Sequence, residues 1–537
     1  MSGAATKLKK IKYNILLVPS SIFILILFSL GAPLYKGSIL SFLVFGVIAT
    51  TYGITALAWR PSIFLSTTAL FLSLGFFIKF LSLNSFGIDL IEPIGQFDGS
   101  ATQWDKALSF ASAGLLGAFL ANFVGQFAPS TRCIALSSSS IPATTQPVLR
   151  LLLVALMLAA ILIYGINLRW NVLRIGYPSE IDLPFPLYPV LAFIITWGAL
   201  IGALTLTSWL QDPNKAASPL FFYVSGIIGF MASFTMGSRV QFLLYLFAAT
   251  LVVVSRDGLK AVFRLQILVA LFVCGLLFGL SIAAVSLQRS FDFMPPVSTA
   301  PPSEASSADE PMASASEIPI APHKANIASQ SGISTESPPA APTNTPVKSS
   351  PPPSETEIGP TMSLRIQFIV HELKSLLIMR WVGLEGVMTT AGSYKTLGMP
   401  LFKTALSEDP GMGTSGIYQH MSGDLYANVK GFVFLTLPGP IGIASYTGNL
   451  ALIATCVFVI MLLGHAIEVY SAKVTRNIGC TTAVGVSLAY LFVQMGFPWT
   501  LFIYCVELFL AISFIAVVRL ALVKFPPNSE KTLSAQA

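Results

Sequence analysis

The sequence predicts an all-α, polytopic integral membrane bundle of about twelve transmembrane helices carrying one large external loop. Three observations carry that prediction. Charged residues make up 10% of the chain, against roughly 25% in an ordinary soluble domain. Hydrophobic residues make up 54%, and the mean hydropathy is +0.75. The apolar residues also fall in blocks such as Tyr13–Gly31, Leu265–Val285 and Leu450–Ala466, long enough to cross ~30 Å of hydrocarbon as helices. Lipid is the solvent that suits such blocks.

Taken in order, spans are predicted near 13–31, 38–58, 62–82, 107–127, 149–166, 187–208, 219–236, 240–255, 264–286, 441–467, 478–495 and 499–519. Lys7, Lys9, Lys10 and Lys12 would suit the start of a signal peptide. The run behind them is long and no A-x-A site precedes the next block, so an uncleaved first span is predicted. Lys and Arg in the connections set orientation. With the N-terminus inside, the inner connections hold Arg60, Arg132, Lys215, Arg256, Lys260, Arg264, Lys473 and Arg476, and the tail holds Arg519, Lys524 and Lys531. The outer connections before residue 287 hold few, Lys36, Lys106, Arg169, Arg174 and Arg239, together with the acidic Asp89, Glu92, Asp98 and Asp105. Both termini are therefore predicted to be cytoplasmic.

The net charge of +7 arises from basic residues scattered singly between apolar blocks, so a nucleic-acid partner is not predicted. Cys133, Cys274, Cys456, Cys480 and Cys505 show no CxxC spacing, which argues against a disulfide framework or zinc. The chain has no P-loop, HExxH or GxSxG, and no metal or cofactor is expected.

The chain divides into a nine-span membrane domain at 1–286, an external loop at 287–440, three last spans at 441–523 and a tail at 524–537. Within the loop, about 294–361 is dominated by Pro, Ser, Ala and Thr. It buries too little apolar surface to fold and reads as a disordered insert. Residues 362–440 read as structured. From Ser363 to Val382, Ile366, Ile369, Val370, Leu373, Leu376 and Leu377 form one helical face; Arg365, Gln367, His371, Glu372, Lys374 and Ser375 form the other. Such a helix should lie on the outer membrane surface or cap the bundle, stopping near Gly383.

Arg239, in Thr235-Met236-Gly237-Ser238-Arg239, occupies a tight outward turn. A guanidinium held there suits a phosphate or pyrophosphate, gripped through two parallel hydrogen bonds. The competing role is an interfacial anchor that snorkels to headgroups. Arg289 lies just beyond the ninth span, against the inward bias, with the same two roles open to it. Arg380 falls on the apolar stripe of the amphipathic helix, where a charge needs an acidic partner or an anionic ligand. His371 and Glu372 are candidate general bases, or else part of a solvated face. His420 and Asp424 are weaker candidates. Glu507, inside the last span, would suit a proton-coupled transporter, or a protonated carboxyl bonded to a neighbouring helix.

Together these features resemble the Wzy-type O-antigen or oligosaccharide repeat-unit polymerases, and more distantly the O-antigen ligases. The resemblance rests on Gly237-Ser238-Arg239 opening a span and on one large external loop late in the chain. It rests also on Arg380-Trp381-Val382-Gly383-Leu384-Glu385-Gly386-Val387-Met388 and on Leu437-Pro438-Gly439-Pro440-Ile441 with Tyr446-Thr447-Gly448 behind it. The Pro/Ser-rich insert departs from the pattern. The resemblance implies a GT-C-like glycosyltransferase in the bacterial inner membrane with its large loop in the periplasm. A growing glycan on undecaprenyl pyrophosphate would pass to the sugar of a new lipid-linked repeat, with a chain-length regulator as a possible partner. Arg239, Arg289 and Arg365 would hold the pyrophosphate in place of a metal, with Arg380 beside them, and His371 or Glu372 would act as base. The rival classes are a lipid-linked oligosaccharide flippase or other twelve-helix transporter, and an O-antigen ligase. A six-plus-six carrier would place its large loop inside, after the sixth span, and would show related halves.

Overall fold

At membrane depth the backbone has no water to bond, and the helix satisfies its N–H and C=O groups within one segment. The computed structural model describes residues 26, 28–59, 62–86, 90, 92–136, 141–177, 179–181, 183–212, 215–292, 381–408, 416–425, 427 and 436–524. Among these the regular structure is helical, with no strand. Nine of the described helices are long and apolar enough to cross a membrane, and two shorter ones, Leu220–Met236 and Ile478–Val493, are apolar too. The chain is a multi-pass helical membrane protein. The expected first span at 13–31 lies almost wholly outside the described residues, as do the insert and the tail. The chain forms two compact units, Met1–Asp292 with Val370–Ala537, and Phe293–Ile369; the described residues all belong to the first.

The helices are α1 (Ile39–Trp59), α2 (Ile63–Phe86, with a π-turn at Ser73–Ile78), α3 (Ala101–Gly125), α4 (Gln146–Trp170) and α5 (Leu187–Leu210, with a π-turn at Ile194–Gly198). They continue as α6 (Leu220–Met236), α7 (Arg239–Asp257) and α8 (Leu265–Asp292). Four short helices follow: α9 (Leu384–Gly392), α10 (Met399–Leu406), α11 (Ile417–Ser422) and α12 (Gly439–Ser445). The last are α13 (Leu450–Thr475), α14 (Ile478–Val493) and α15 (Pro498–Lys524). Short connections make successive long helices antiparallel, so the turns alternate between two faces. The face holding the start of α3 and the end of α6 is here the upper one.

Two features differ from the sequence expectation. The span expected at 441–467 is two elements, α12 and α13. Gly448, at φ +66°, ends the first, and the Asn449 side chain starts the second by accepting from the N–H groups of Ala451 and Leu452. Helix α9, in the stretch expected outside, is buried from Leu384 through Ala391.

Helix α14 is apolar on all sides and sits at the centre, buried from Ile478 through Tyr490. It packs on α2, α5, α7 and α13, while α3 packs on α1, α9 and α13. Helices α4 and α15 are peripheral and expose Leu151, Val154, Leu158, Ile161, Phe502, Leu510 and Phe514. Water does not tolerate so continuous an apolar surface, and lipid covers it. The π-turn in α5 frees backbone carbonyls that other helices satisfy: Tyr164 Oη donates to Ile195 O (3.0 Å) and Gln241 Nε2 to Thr196 O (2.7 Å).

The lower face is closed by a carboxylate. Glu468, fully buried on α13, accepts from Ile63 N (2.9 Å), Phe64 N (2.8 Å) and Thr131 Oγ1 (2.6 Å). It thus caps α2 from another helix and favours the positive end of its dipole. Glu468→Ala is expected to lower stability by about 3 kcal/mol, because two buried N–H groups lose their acceptor. Thermal unfolding of the purified protein in detergent measures this; a change below about 0.5 kcal/mol would show the clasp to be incidental.

Candidate functional site

The first cluster on the upper face is built of arginines. Helix α6 ends because Gly237 turns left-handed at φ +65°, and Ser238 N bonds back to Ser233 O at 3.0 Å. Arg239 therefore opens α7 at the upper rim. Its Nη2 donates to Ser286 Oγ of α8 at 2.7 Å. Ser286 itself donates to Ile282 O (2.7 Å), which leaves its lone pairs to the guanidinium.

Arg174 arrives at the same place by a different route. Helix α4 ends at Asn171, which is left-handed at φ 46°. Asn167 then brackets the turn, accepting from Leu173 N (2.8 Å) and donating to Leu173 O (3.2 Å). Ile175 N binds Met236 O at 3.0 Å, pinning this loop to the end of α6. Arg174 is 8% exposed and lies over the Tyr177 ring at 4.1 Å. The Gln288 amide of α8, in the orientation that satisfies both neighbours, accepts from Arg174 Nη2 and donates to Phe234 O, each at 3.3 Å. Two guanidinium groups thus converge on the last turns of α8, and Arg289 follows Gln288 on that helix.

The second cluster lies where the described chain resumes at Trp381, ahead of α9. At Trp381 the chain stands against Phe71, with ring centroids 5.5 Å apart and nearly parallel planes. Phe71 is about 12 Å up α2 from its start, at 1.5 Å per residue. Residues 381–383 are not helical, and non-helical backbone at such depth persists only where protein surrounds it. From there α9 runs upward until Gly392 abuts Phe97. Glycines permit the close approach: a Cβ on Gly75 would stand 2.2 Å from Val382 O, and one on Gly386 2.0 Å from Pro438 O. The stretches 380–388 and 437–441 singled out in the sequence therefore pack on each other through α9 and α12.

Here Lys79 of α2 donates to Trp381 O at 2.9 Å and is ion-paired with Glu385 Oε1 in the first turn of α9. Both side chains are at most 2% exposed. The ammonium thereby satisfies the carbonyl of a non-helical residue, and the carboxylate neutralises the ammonium. Helices α2 and α7 also touch through Phe71 and Phe247, with ring centroids 6.3 Å apart.

Short elements roof the upper face beside α9. Helix α11 packs on α9, and Gly95 N bonds Ser422 O at 3.0 Å. Tyr418 of α11 lies beside Thr389 and within electrostatic reach of Glu92 and Glu385. Burial foremost, with those carboxylates, holds its hydroxyl protonated far above neutral pH. Glu408 accepts from Ile417 N at 2.5 Å, and burial pushes its carboxyl up to about 7 in spite of that bond.

Of the residues chosen from sequence, Arg239 is in the arginine cluster. Arg289 is on the helix that receives it, although its side chain is outside the described residues. Arg365, His371, Glu372 and Arg380 lie outside them altogether. His420 is exposed, and Asp424 accepts from Thr436 within the roof. Glu507 is half-buried on α15, and its Oε1 has no hydrogen-bond partner among the described residues. Three site residues carried no such prediction. Arg174 was only one of several loop cations. Lys79 lies inside the predicted span 62–82, and an intramembrane lysine is itself a functional signal. Glu385 stood within a quoted stretch without a role. Among the described residues no cluster of His, Cys, Asp and Glu has the makings of a metal site. Compared with known proteins, the chain matches no family model, no curated protein and no solved structure.

Proposed function

We propose that this protein is a membrane glycosyltransferase that polymerises lipid-linked oligosaccharide repeat units, with a GT-C-like bundle of about twelve spans. The observation that supports this most is the convergence of Arg174 and Arg239 on Ser286 and Gln288 at the end of α8, with Arg289 next along. A diphosphate leaving group takes up negative charge as the glycosidic bond to it breaks, and preorganised guanidinium groups stabilise that charge. In this reading the upper face is periplasmic, in a bacterial inner membrane, and the substrate is carried on undecaprenyl pyrophosphate. Arg365 and Arg380 are the sequence candidates for further cations on the diphosphate. His371 and Glu372 are the sequence candidates for the base.

A transporter is the second reading, favoured by non-helical backbone and a buried charge pair at membrane depth, since irregular backbone lines many carrier sites. A deletion strain separates the classes. Single-repeat glycan marks a polymerase, full-length polymer retained on the carrier marks a ligase, and repeats trapped on the inner leaflet mark a flippase. Complementation with Arg239→Ala is expected to reduce polymer about a hundredfold or more at unchanged protein level. Normal polymer from that variant would remove the diphosphate role.

A further inference from the structure

An apolar groove of about 310 Å³ lies between α10, α12, α13 and the start of α15, at the lower end of the size of small-ligand sites. Phe402 and Leu406 of α10 roof it, and Val459 and Pro498 flank it. Its two polar side chains are not free to select a polar ligand. Thr455 Oγ1 donates to Ala451 O of its own helix at 2.8 Å, and the Cys456 thiol packs as a small apolar group. The groove suits a hydrocarbon chain.

Depth and charge say which chain. From the head of α13 at Leu450, the wall from Thr455 to Ile460 lies about 8 to 15 Å down, at 1.5 Å per residue. That is acyl-chain depth in the upper leaflet. Trp499, next to Pro498, is exposed and stacks on exposed Phe502 with ring centroids 5.4 Å apart, where interfacial tryptophans stand. Leu406 and Val459 are exposed as well, so the groove opens sideways onto lipid. Above it, α10 turns Ala405 into a core with Ile443 and Tyr446. The same helix leaves Lys403 exposed, with Lys395 exposed just ahead of it. Lysines over apolar depth on a short amphipathic helix attract an anionic headgroup.

We infer that this groove holds one acyl chain of an anionic bilayer phospholipid, whose phosphate meets Lys403 and Lys395. A chain gains no hydrophobic energy in passing from bilayer to groove, since both are apolar. Retention comes from the dispersion contacts that an unfilled groove would lack, and from the lysines. The lipid also steadies α10, which Gly398 N ties to Tyr446 O at 2.8 Å. A polyprenyl carrier is the poorer occupant. The guanidinium groups proposed for its diphosphate converge on α8, which packs on α6 and α7, whereas the groove belongs to α10, α12, α13 and α15. The assignment stands apart from the catalytic reading, and its test reads binding instead of polymer.

The full-length protein is reconstituted in nanodiscs of phosphatidylcholine with phosphatidylglycerol as the minor lipid, then released and weighed by native mass spectrometry. Wild type is expected to retain phosphatidylglycerol well above its share of the disc. Val459→Trp fills the groove from its open side and is expected to reduce that retention roughly tenfold. Leu463→Trp, one turn lower on α13 and also exposed, is expected to leave it unchanged. Lys403→Glu is expected to keep a lipid but to lower the preference for phosphatidylglycerol roughly tenfold. Should Val459→Trp fail to fold, Thr455→Phe, exposed at the same groove, takes its place. Lipids retained by wild type in the disc's own proportions would mean annular lipid only and overturn the site. Equal retention by Val459→Trp and Leu463→Trp would do the same. A polyprenyl phosphate found on the protein as purified, and lost from Val459→Trp, would overturn the phospholipid in favour of the carrier.

Discussion

Lys79→Met is expected to destabilise the protein by about 3–5 kcal/mol, while the double variant Lys79→Met/Glu385→Leu recovers most of that loss. The asymmetry follows from where the pair sits. Both side chains are at most 2% exposed, so removing the ammonium leaves a carboxylate without solvent or counter-charge. It also strips Trp381 O, which lies outside any helix, of its donor at 2.9 Å. Replacing both charges with apolar groups of similar size removes the desolvation penalty together with the attraction, which is often neutral or better. The double variant is therefore expected to fold. A double-mutant cycle in thermal unfolding measures the coupling. A single-variant cost under about 1 kcal/mol would mean that water reaches the pair.

Gly386→Ala is expected to cost about 3 kcal/mol or more and to abolish function with it. The added methyl would stand 2.0 Å from Pro438 O and 2.9 Å from Pro438 Cα, against backbone on the neighbouring element. No rotamer relieves that contact; α9 and α12 have to separate, which moves Glu385 away from Lys79. Gly165→Ala on the peripheral α4 is the control, because nothing lies within 4 Å of its new Cβ. There the change is expected to be neutral or slightly stabilising, as alanine is the better helix former. Equal behaviour of the two variants would contradict the packing of α9 on α12.

The spans were legible because lipid demands unbroken apolar blocks, and α1 to α8 are such blocks. Helix α9 was not, since Leu384–Gly392 is too short to cross and its burial depends on glycines matched to distant backbone. Arg239 was legible as a lone cation in a tight turn. Arg174 was not, because its position depends on Asn167 and on the end of α6 rather than on its own neighbours. Lys79 was visible inside a predicted span. Its carbonyl partner on Trp381 lies 302 residues away, a distance that no local pattern bridges. The expected span at 441–467 missed its break because the pattern Pro-Gly-Pro reads as a helix start, while Gly448 and Asn449 together make a second one.

The clasp at Glu468 has a consequence for synthesis. Its partner N–H on Ile63 is 405 residues earlier, and α2 finds its central neighbour only in α14. While the ribosome is still making the middle of the chain, the first spans sit in the bilayer with an uncapped helix end and an unmatched lysine. The last three spans finish the first three. Nascent chains cut before α13 should therefore remain substrates for membrane quality control, and the length of chain between α8 and α13 sets how long that exposed interval lasts.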